Sequence, residues 1–360
     1  MSSYSPSRLR AALIGCGRIG AHTPDRLRQT IPAGWIPVNH AEAMQANSGL
    51  ELVAVCDARQ ESAETTAKEM GVAAAFTDYR QMIQTVKPDI VSIATRTEGR
   101  CEIVAYAAQQ GVRGIHVDKP LGRSMVECRK ALQSVEQHGT KLSYGTTRRC
   151  MDVFRLVKSL IAAGEIGELR QITIELGRAA LLWSHPHSFD LMVYFATGRE
   201  ALGVQGACEI APDAVKDHLI DADPIIENAS VRFSGGLNAV ITTAPGLNVR
   251  FAGDLGLLTV GADGSWLTRE KRTHTDRPYH GLPERIPFTP QASGTQRAFA
   301  ELIAAVNGTG QPSITPAEVL LSNQLSFAVA WSALNGGQQM TLRDIPEDLT
   351  ITGRQGQNYA

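Results

Sequence analysis

The sequence predicts an α/β chain in two parts: an N-terminal doubly wound parallel sheet, then an α+β domain with a large, open, mainly antiparallel sheet. Three observations carry this. The apolar run Leu9 to Ile14 leads straight into three glycines, Gly15, Gly17 and Gly20, spaced G-x-G-x-x-G. From Leu9 to about Arg149, short apolar strands alternate with amphipathic helices. After Arg149 the pattern turns to long alternating strands separated by turn residues such as Ser234-Gly235-Gly236. Strand–helix alternation argues a parallel sheet covered on both faces, and strict alternation within strands argues an antiparallel one.

The glycine turn comes first. Gly15 permits a tight turn, Gly17 lets the backbone approach a pyrophosphate, and Gly20 allows a helix to pack closely on its strand. Arg18 and Ile19 complete the turn, and the pyrophosphate sits on the helix N-terminus that follows. This is the phosphate turn of a Rossmann dinucleotide-binding domain. A second strand, Leu52 to Cys56, ends at Asp57, the acid expected to take the ribose hydroxyls. Asp57 would repel a 2'-phosphate, which favours NAD; Arg59, two residues on, leaves NADP open. Asp57 lies 37 residues after Gly20, whereas the motif places its acid about 20 on. The segment 21–39, with three prolines, Gly34 and Trp35, therefore reads as an inserted loop before a helix starting near His40. Trp35, Ile36 and Val38 give that loop apolar groups to dock with.

Further strands are expected at Ala73 to Phe76, Ile90 to Ala94, Gly114 to Val117 and Lys141 to Tyr144, with helices such as Ser62 to Met70 and Glu102 to Gln110 between them. A helix from Asp152 to Ala163 opens the second part, followed by strands at Leu169 to Glu175, Ala229 to Phe233, Leu237 to Thr242 and Leu257 to Val260. Helices from Gly294 to Asn307 and Pro316 to Ala333 close it, and the tail Arg354 to Ala360 looks loose. The domains are thus read as 1–149 for the dinucleotide and 150–360 for substrate binding and oligomerisation.

With 35 basic and 36 acidic residues well mixed, bulk charge favours neither nucleic acid nor an anionic membrane. No apolar run reaches the ~18 residues of a membrane span, and the N-terminus has no apolar signal region, so the cytoplasm is expected. The six cysteines show no C-x-x-C or other close pair, and free buried thiols are expected rather than disulfides or zinc.

Three segments beyond the turn resemble the Gfo/Idh/MocA oxidoreductases, the family of inositol dehydrogenases and glucose-fructose oxidoreductase. His116-Val-Asp-Lys-Pro-Leu121 is similar to the family's strand ending in E-K-P; Gly145 to Gly167 is similar to its crossover into the second domain; and His187-Ser-Phe-Asp190 is similar to its H-x-x-D helix. The resemblance implies a NAD(P)-dependent enzyme acting on a sugar or cyclitol hydroxyl between two domains, with Lys119 and His187 as catalytic residues. Thr95 and Lys119 would lie at the nicotinamide end. A neutral imidazole has a pKa suited to taking the hydroxyl proton, and an ammonium beside a cationic ring would hold and polarise the same oxygen. The chain departs from the family at Asp118 for the glutamate, at Trp183 where many members carry an aspartate four residues before the histidine, and at Arg96 and Arg100 for a proline and a histidine. His185 and Asp190 are the available substitutes for the missing acid.

Trp35 and Trp183 are candidate platforms for a sugar ring. Arg100 and Arg149, with Arg96, Arg148 and Arg178, would favour an anionic substrate if they cluster at the cleft. His185, Pro186, His187 and Asp190 lack a remote partner for a metal site. The expected activity is oxidation of a secondary hydroxyl of a sugar, glycoside or cyclitol; the rivals are a redox-neutral NAD-using glycosidase or lyase, and a dinucleotide-binding sensor. An open sheet face calls for a second subunit, so a homodimer or homotetramer through the C-terminal sheet is expected.

Overall fold

The computed structural model describes residues 8–274, 277 and 279–353; the expected loose tail lies outside them. The first sheet contains β1 (Leu9–Ile14), β2 (Leu50–Cys56), β3 (Ala74–Phe76), β4 (Ile90–Ile93), β5 (Gly114–Val117) and β6 (Lys141–Tyr144). All are parallel, in the order β3-β2-β1-β4-β5-β6. Its helices are α1 (Asp25–Thr30), α2 (His40–Gln45), α3 (Gln60–Met70), α4 (Tyr79–Val86), α5 (Arg100–Gln109) and α6 (Met125–Gln137). β1, β4 and β5 are almost wholly buried because helices cover both faces, which is why they read as unbroken apolar runs.

After α7 (Asp152–Ala162) come β7 (Leu169–Glu175), β8 (Ala179–Ala180), α8 (Pro186–Ala196), β9 (Ala201–Glu209), β10 (Val215–Lys216), β11 (Leu219–Ile220) and β12 (Ile225–Phe233). They are followed by β13 (Asn238–Thr242), β14 (Asn248–Gly253), β15 (Gly256–Gly261), β16 (Trp266–Lys271), β17 (Glu284–Arg285), α9 (Gly294–Val306), α10 (Pro316–Leu334) and β18 (Thr350–Ile351). The large sheet runs β17-β16-β15-β14-β7-β13-β12-β8, with β9 also on β12; only β7 and β13 pair in parallel. Ile172, Ile241, Phe251, Leu258 and Leu267 point inward against α8 and α10, giving the second core.

Two expectations change. The inserted segment is not all loop: it contains α1 and a single 3-10 turn at Ala33–Trp35. It is also spliced into the helix that begins at the glycine turn. Ala21 N donates to Gly17 O, and His40 and Ala41 then donate to Ile19 O and Gly20 O at 2.9 Å. Those bonds keep the helical i to i−4 pattern if 17 intervening residues are counted out, which returns Asp57 to 20 residues after Gly20. The sequence boundary at 149 is crossed as well. Helix α9 returns to the first domain, where Phe299 and Leu302 are buried among Leu9, Ala11 and Leu13.

Beneath α9, His40 and His116 form a buried aromatic cluster with Phe299, the two imidazoles 4.6 Å apart. Their Nδ1 atoms meet Ser92 and Ser143 hydroxyls at 2.8 and 2.9 Å. Burial, then the Arg100 charge, pushes His40 down to about 3, and burial likewise holds His116 well below the usual value. Below about pH 6.5 the unfolded chain therefore takes up protons that the native state refuses. Stability is expected to fall as pH drops from 6.5 toward 3, by about 1.4 kcal/mol per pH unit for each such histidine. Urea midpoints at pH 7.5 and 5.5 test this; equal midpoints would show that the cluster does not set acid stability.

Candidate active site

At the carboxyl ends of β1, β2, β4 and β5 lies a cleft of about 760 Å³. Gly15, Gly17, Arg18, Ile19, Asp57, Thr95 and Lys119, all expected at the cofactor, line it together. The glycines behave as their chemistry requires. Gly15 has φ +95°, and a Cβ there would meet the Ala94 carbonyl carbon at 2.6 Å. A Cβ on Gly20 would fall 1.9 Å from Gly15 O, whereas one on Gly17 would meet nothing within 4 Å. Gly20 is thus the packing glycine behind the turn, and Gly17 faces open space of the kind a pyrophosphate needs. Asp57 accepts from Cys16 N at 2.9 Å and Arg59 N at 3.0 Å, tying the end of β2 to the turn while remaining on the cleft wall. The residues present fit a dinucleotide.

At the far end, the second domain closes the cleft with Leu182, Trp183 and Asp223. Lys119, just past β5, donates from Nζ to the Trp183 carbonyl and lies 4.8 Å from the indole centroid. Arg18 reaches the same ring at 5.1 Å. Burial lowers the Lys119 ammonium to about 8; Asp118 and Asp223 oppose that shift, while Arg100 and Arg148 add to it.

His187 sits in the first turn of α8, which Pro186 opens. Its Nδ1 is buried without a hydrogen-bond partner. Burial first, then the charges of Arg148 and Lys119, keeps the imidazole well below the usual range and neutral at pH 7. Trp35 approaches it edge-on, ring centroids 6.2 Å apart. Trp35 is held by its own Nε1 donation to Asp263 O at 3.0 Å, and by Arg148 stacked 4.7 Å over it; Arg148 in turn pairs with the Asp263 carboxylate at 2.8 Å. The insert therefore docks on the second domain, with Gly34 against Pro290 and Met151 and with Ser293 Oγ donating to Pro37 O at 2.7 Å. The gap left beside His187 is only about 10 Å³.

Several expected substrate residues are engaged elsewhere. Arg100 is buried and donates to the carbonyls of Thr95, Asp118 and Pro120, buckling the end of β4 to the lysine turn. Arg149 and Asp190 form a buried bidentate pair at 2.7 and 3.0 Å. His185 is buried on Ser188 Oγ at 3.1 Å, and Arg178 pairs with Glu209. Trp35, His185, His187, Arg149 and Asp190 do not line the cleft, whereas Trp183, Arg96 and Arg100 do; Arg148 and Arg178 are paired with Asp263 and Glu209. Among the described residues, no group of three or more His, Cys, Asp or Glu is arranged to hold a metal ion. None of their helices is long and apolar enough to cross a membrane. The six cysteines are free, five of them buried. Sequence reading missed Asp223 and the Arg148–Asp263 pair; their only local trace is an acid in a turn between strands, a signal too common to single them out.

Fold and cleft define a two-domain protein with a Rossmann-type dinucleotide site. Residues 9–146, the N-terminal domain, match the model of the Gfo/Idh/MocA oxidoreductase family with its NAD-binding Rossmann fold. It is 29% identical over 161 residues to scyllo-inositol 2-dehydrogenase (NAD(+)) of Bacillus subtilis, covering 45% of this chain and 42% of the relative. It is 27% identical over 168 residues to D-glucoside 3-dehydrogenase of Escherichia coli, covering 47% and 43%. The matched stretches thus span about two fifths of those relatives' length. The whole fold is shared with an Agrobacterium radiobacter oxidoreductase solved with NAD+, L-tartaric acid and magnesium, at TM-score 0.72 and 18% identity, covering 94% of this chain and 100% of that one.

Proposed function

We propose that the protein is a NAD-dependent dehydrogenase oxidising a secondary hydroxyl of a sugar, glycoside or cyclitol, reversibly, to the ketone. The observation that carries this reading is Lys119 on the wall of the dinucleotide cleft, with His187 buried in the first turn of α8 and its Nδ1 without a hydrogen-bond partner. NAD, when bound, supplies the hydride-accepting ring. The chain's residues supply the rest. Asp57 and the glycine turn hold the ribose and pyrophosphate ends, the Lys119 ammonium holds the carbinol oxygen, and His187 Nδ1 takes the hydroxyl proton. Trp183 lines the cleft beside Lys119, and Trp35 stands edge-on to His187, as apolar faces for a ring.

We place the protein in the cytoplasm as a homodimer or homotetramer. The outer face of the large sheet, carrying Val240, Leu257 and Trp266, is the surface for that contact. The activity test is near-ultraviolet absorbance with NAD or NADP across inositols, hexoses, uronates and glycosides. Net reduction of nicotinamide with one group is expected. No reduction with any of them, despite NAD binding by calorimetry, would replace this reading with a redox-neutral glycosidase or lyase, or a sensor.

A further inference from the structure

Lys119 is not held by its own strand alone. Its Nζ donates to the carbonyl of Trp183, which belongs to the short segment between β8 and α8. That segment has no long ladder to fix it. What fixes it is Asp223, in the turn between β11 and β12: one carboxylate oxygen accepts from Leu182 N at 2.7 Å, the other from Trp183 N at 3.0 Å. With each oxygen engaged by a successive backbone N–H, the carboxylate sets the peptide planes on either side of Leu182 and so holds the Trp183 backbone nitrogen; the next peptide, which carries the Trp183 carbonyl, is held by Ser184 N donating to Ala180 O at 3.0 Å.

The turn that carries Asp223 is itself tied down. Leu181 N donates to Pro224 O at 2.8 Å, Thr352 N to Ile220 O at 3.0 Å, and Gly353 N to Ala222 O at 3.2 Å. Thr352 Oγ1 adds a bond to the Asp221 carboxylate at 2.9 Å. Three distant stretches of chain therefore converge on one carboxylate at the cleft wall, with Asp223 and Gly353 both lining the cleft. This is more anchoring than a surface turn needs, and its end point is the lysine.

Resting on the dehydrogenase reading, we infer that Asp223 is a positioning residue for Lys119, acting through the Leu182–Trp183 backbone to keep the ammonium over the indole and aimed into the cleft. The charged groups that act on Lys119 are Asp118, Arg100, Arg148 and Asp223, and Lys119 in turn acts on His187. Burial is the largest influence on its ammonium. Loosening the Trp183 segment therefore returns Lys119 toward water, and its pKa toward that of an ordinary lysine. Loss of the Asp223 charge alone would move it the other way, so the direction of the shift separates positioning from simple electrostatics.

The experiment is competitive acetylation of the full chain with acetic anhydride across pH, reading Lys119 by peptide mass spectrometry. In the wild type, half-reaction is expected near pH 8. Asp223→Asn places an amide N–H group against a backbone donor, and is expected to raise that midpoint by about one unit. Asp213→Asn, removing an exposed acid outside the anchored turn, is expected to leave it in place. An unchanged or lowered midpoint in Asp223→Asn would overturn the inference. Should that variant not fold, Asp223→Glu displaces both acceptors by one methylene and must give a rise as well; no rise overturns the inference equally. The labelling needs neither substrate nor turnover, so it is read separately from the dehydrogenase reading. With an oxidisable substrate in hand, kcat is expected to fall tenfold or more (~10-fold at least) with the KM for NAD unchanged; a kcat equal to wild type would remove the catalytic consequence.

Discussion

Lys119→Ala is expected to lower kcat for hydroxyl oxidation by about 10²–10⁴-fold, the usual weight of a positioned acid–base group, while NAD binds with nearly wild-type affinity. The expectation follows from where the side chain is anchored. The ribose and pyrophosphate ends of the cleft are built by Asp57 and the glycine turn, on β2 and β1, and do not depend on Lys119. The lysine stands past β5 in a turn whose carbonyls Arg100 clamps, so the truncation leaves the backbone in place and removes only the cation. Arginine is no conservative replacement here: a guanidinium is bulkier, keeps its charge and has a different donor geometry.

The same residue sets the expected pH dependence. The protonated amine holds the carbinol oxygen, and burial has brought it down to about 8. The value of kcat/KM should therefore decline as pH rises through about 8. His187, neutral throughout the neutral range, contributes no limb there. In Lys119→Ala the residual rate should lack the alkaline limb. A variant that keeps its turnover within about tenfold of wild type, or keeps the limb, would remove Lys119 from the chemistry.

What could be read from the sequence, and what could not, divides by the range of the interaction. β1 and β5 were legible to the residue because a strand covered on both faces is largely apolar along its length. The glycine turn was legible because each glycine answers a local steric demand. Lys119 and His187 were legible only through the motifs around them. The pairing of two arginines was not legible because it is decided by partners far along the chain: Arg148 by Asp263, 115 residues on, and Arg149 by Asp190, 41 residues on. A formal charge says nothing of the carboxylate that will neutralise it. His40 and His116 escaped notice for the complementary reason, since a histidine within an apolar stretch is hidden until a helix from the far end of the chain covers it. The insert's lack of period concealed α1, whose six residues bury none of their side chains.

The Arg149–Asp190 pair gives the other large effect, on stability. Arg149 and Asp190 are 1% and 0% exposed, and the guanidinium also donates to Ser313 O at 2.7 Å and lies 4.9 Å from the Tyr194 ring centroid. Burial pushes the Asp190 carboxyl up, and the guanidinium, bonding both its oxygens, opposes that shift. Asp190→Ala strips the buried guanidinium of its bidentate partner, leaving only the Glu318 carboxylate at 3.4 Å, and is expected to destabilise by about 3 kcal/mol, read as a lower urea midpoint. Replacing both partners by apolar side chains, Arg149→Met with Asp190→Leu, removes both desolvation penalties and should recover most of that loss. The double variant also decides the role of the pair. Asp190 lies one turn along α8 from His187, so a loosened helix lowers turnover whether or not the carboxylate takes part in the reaction. A restored double variant with wild-type kcat would show that the pair holds α8 and its histidine in place. Restored stability with turnover still lost would return Asp190 to the chemistry from which its burial now removes it.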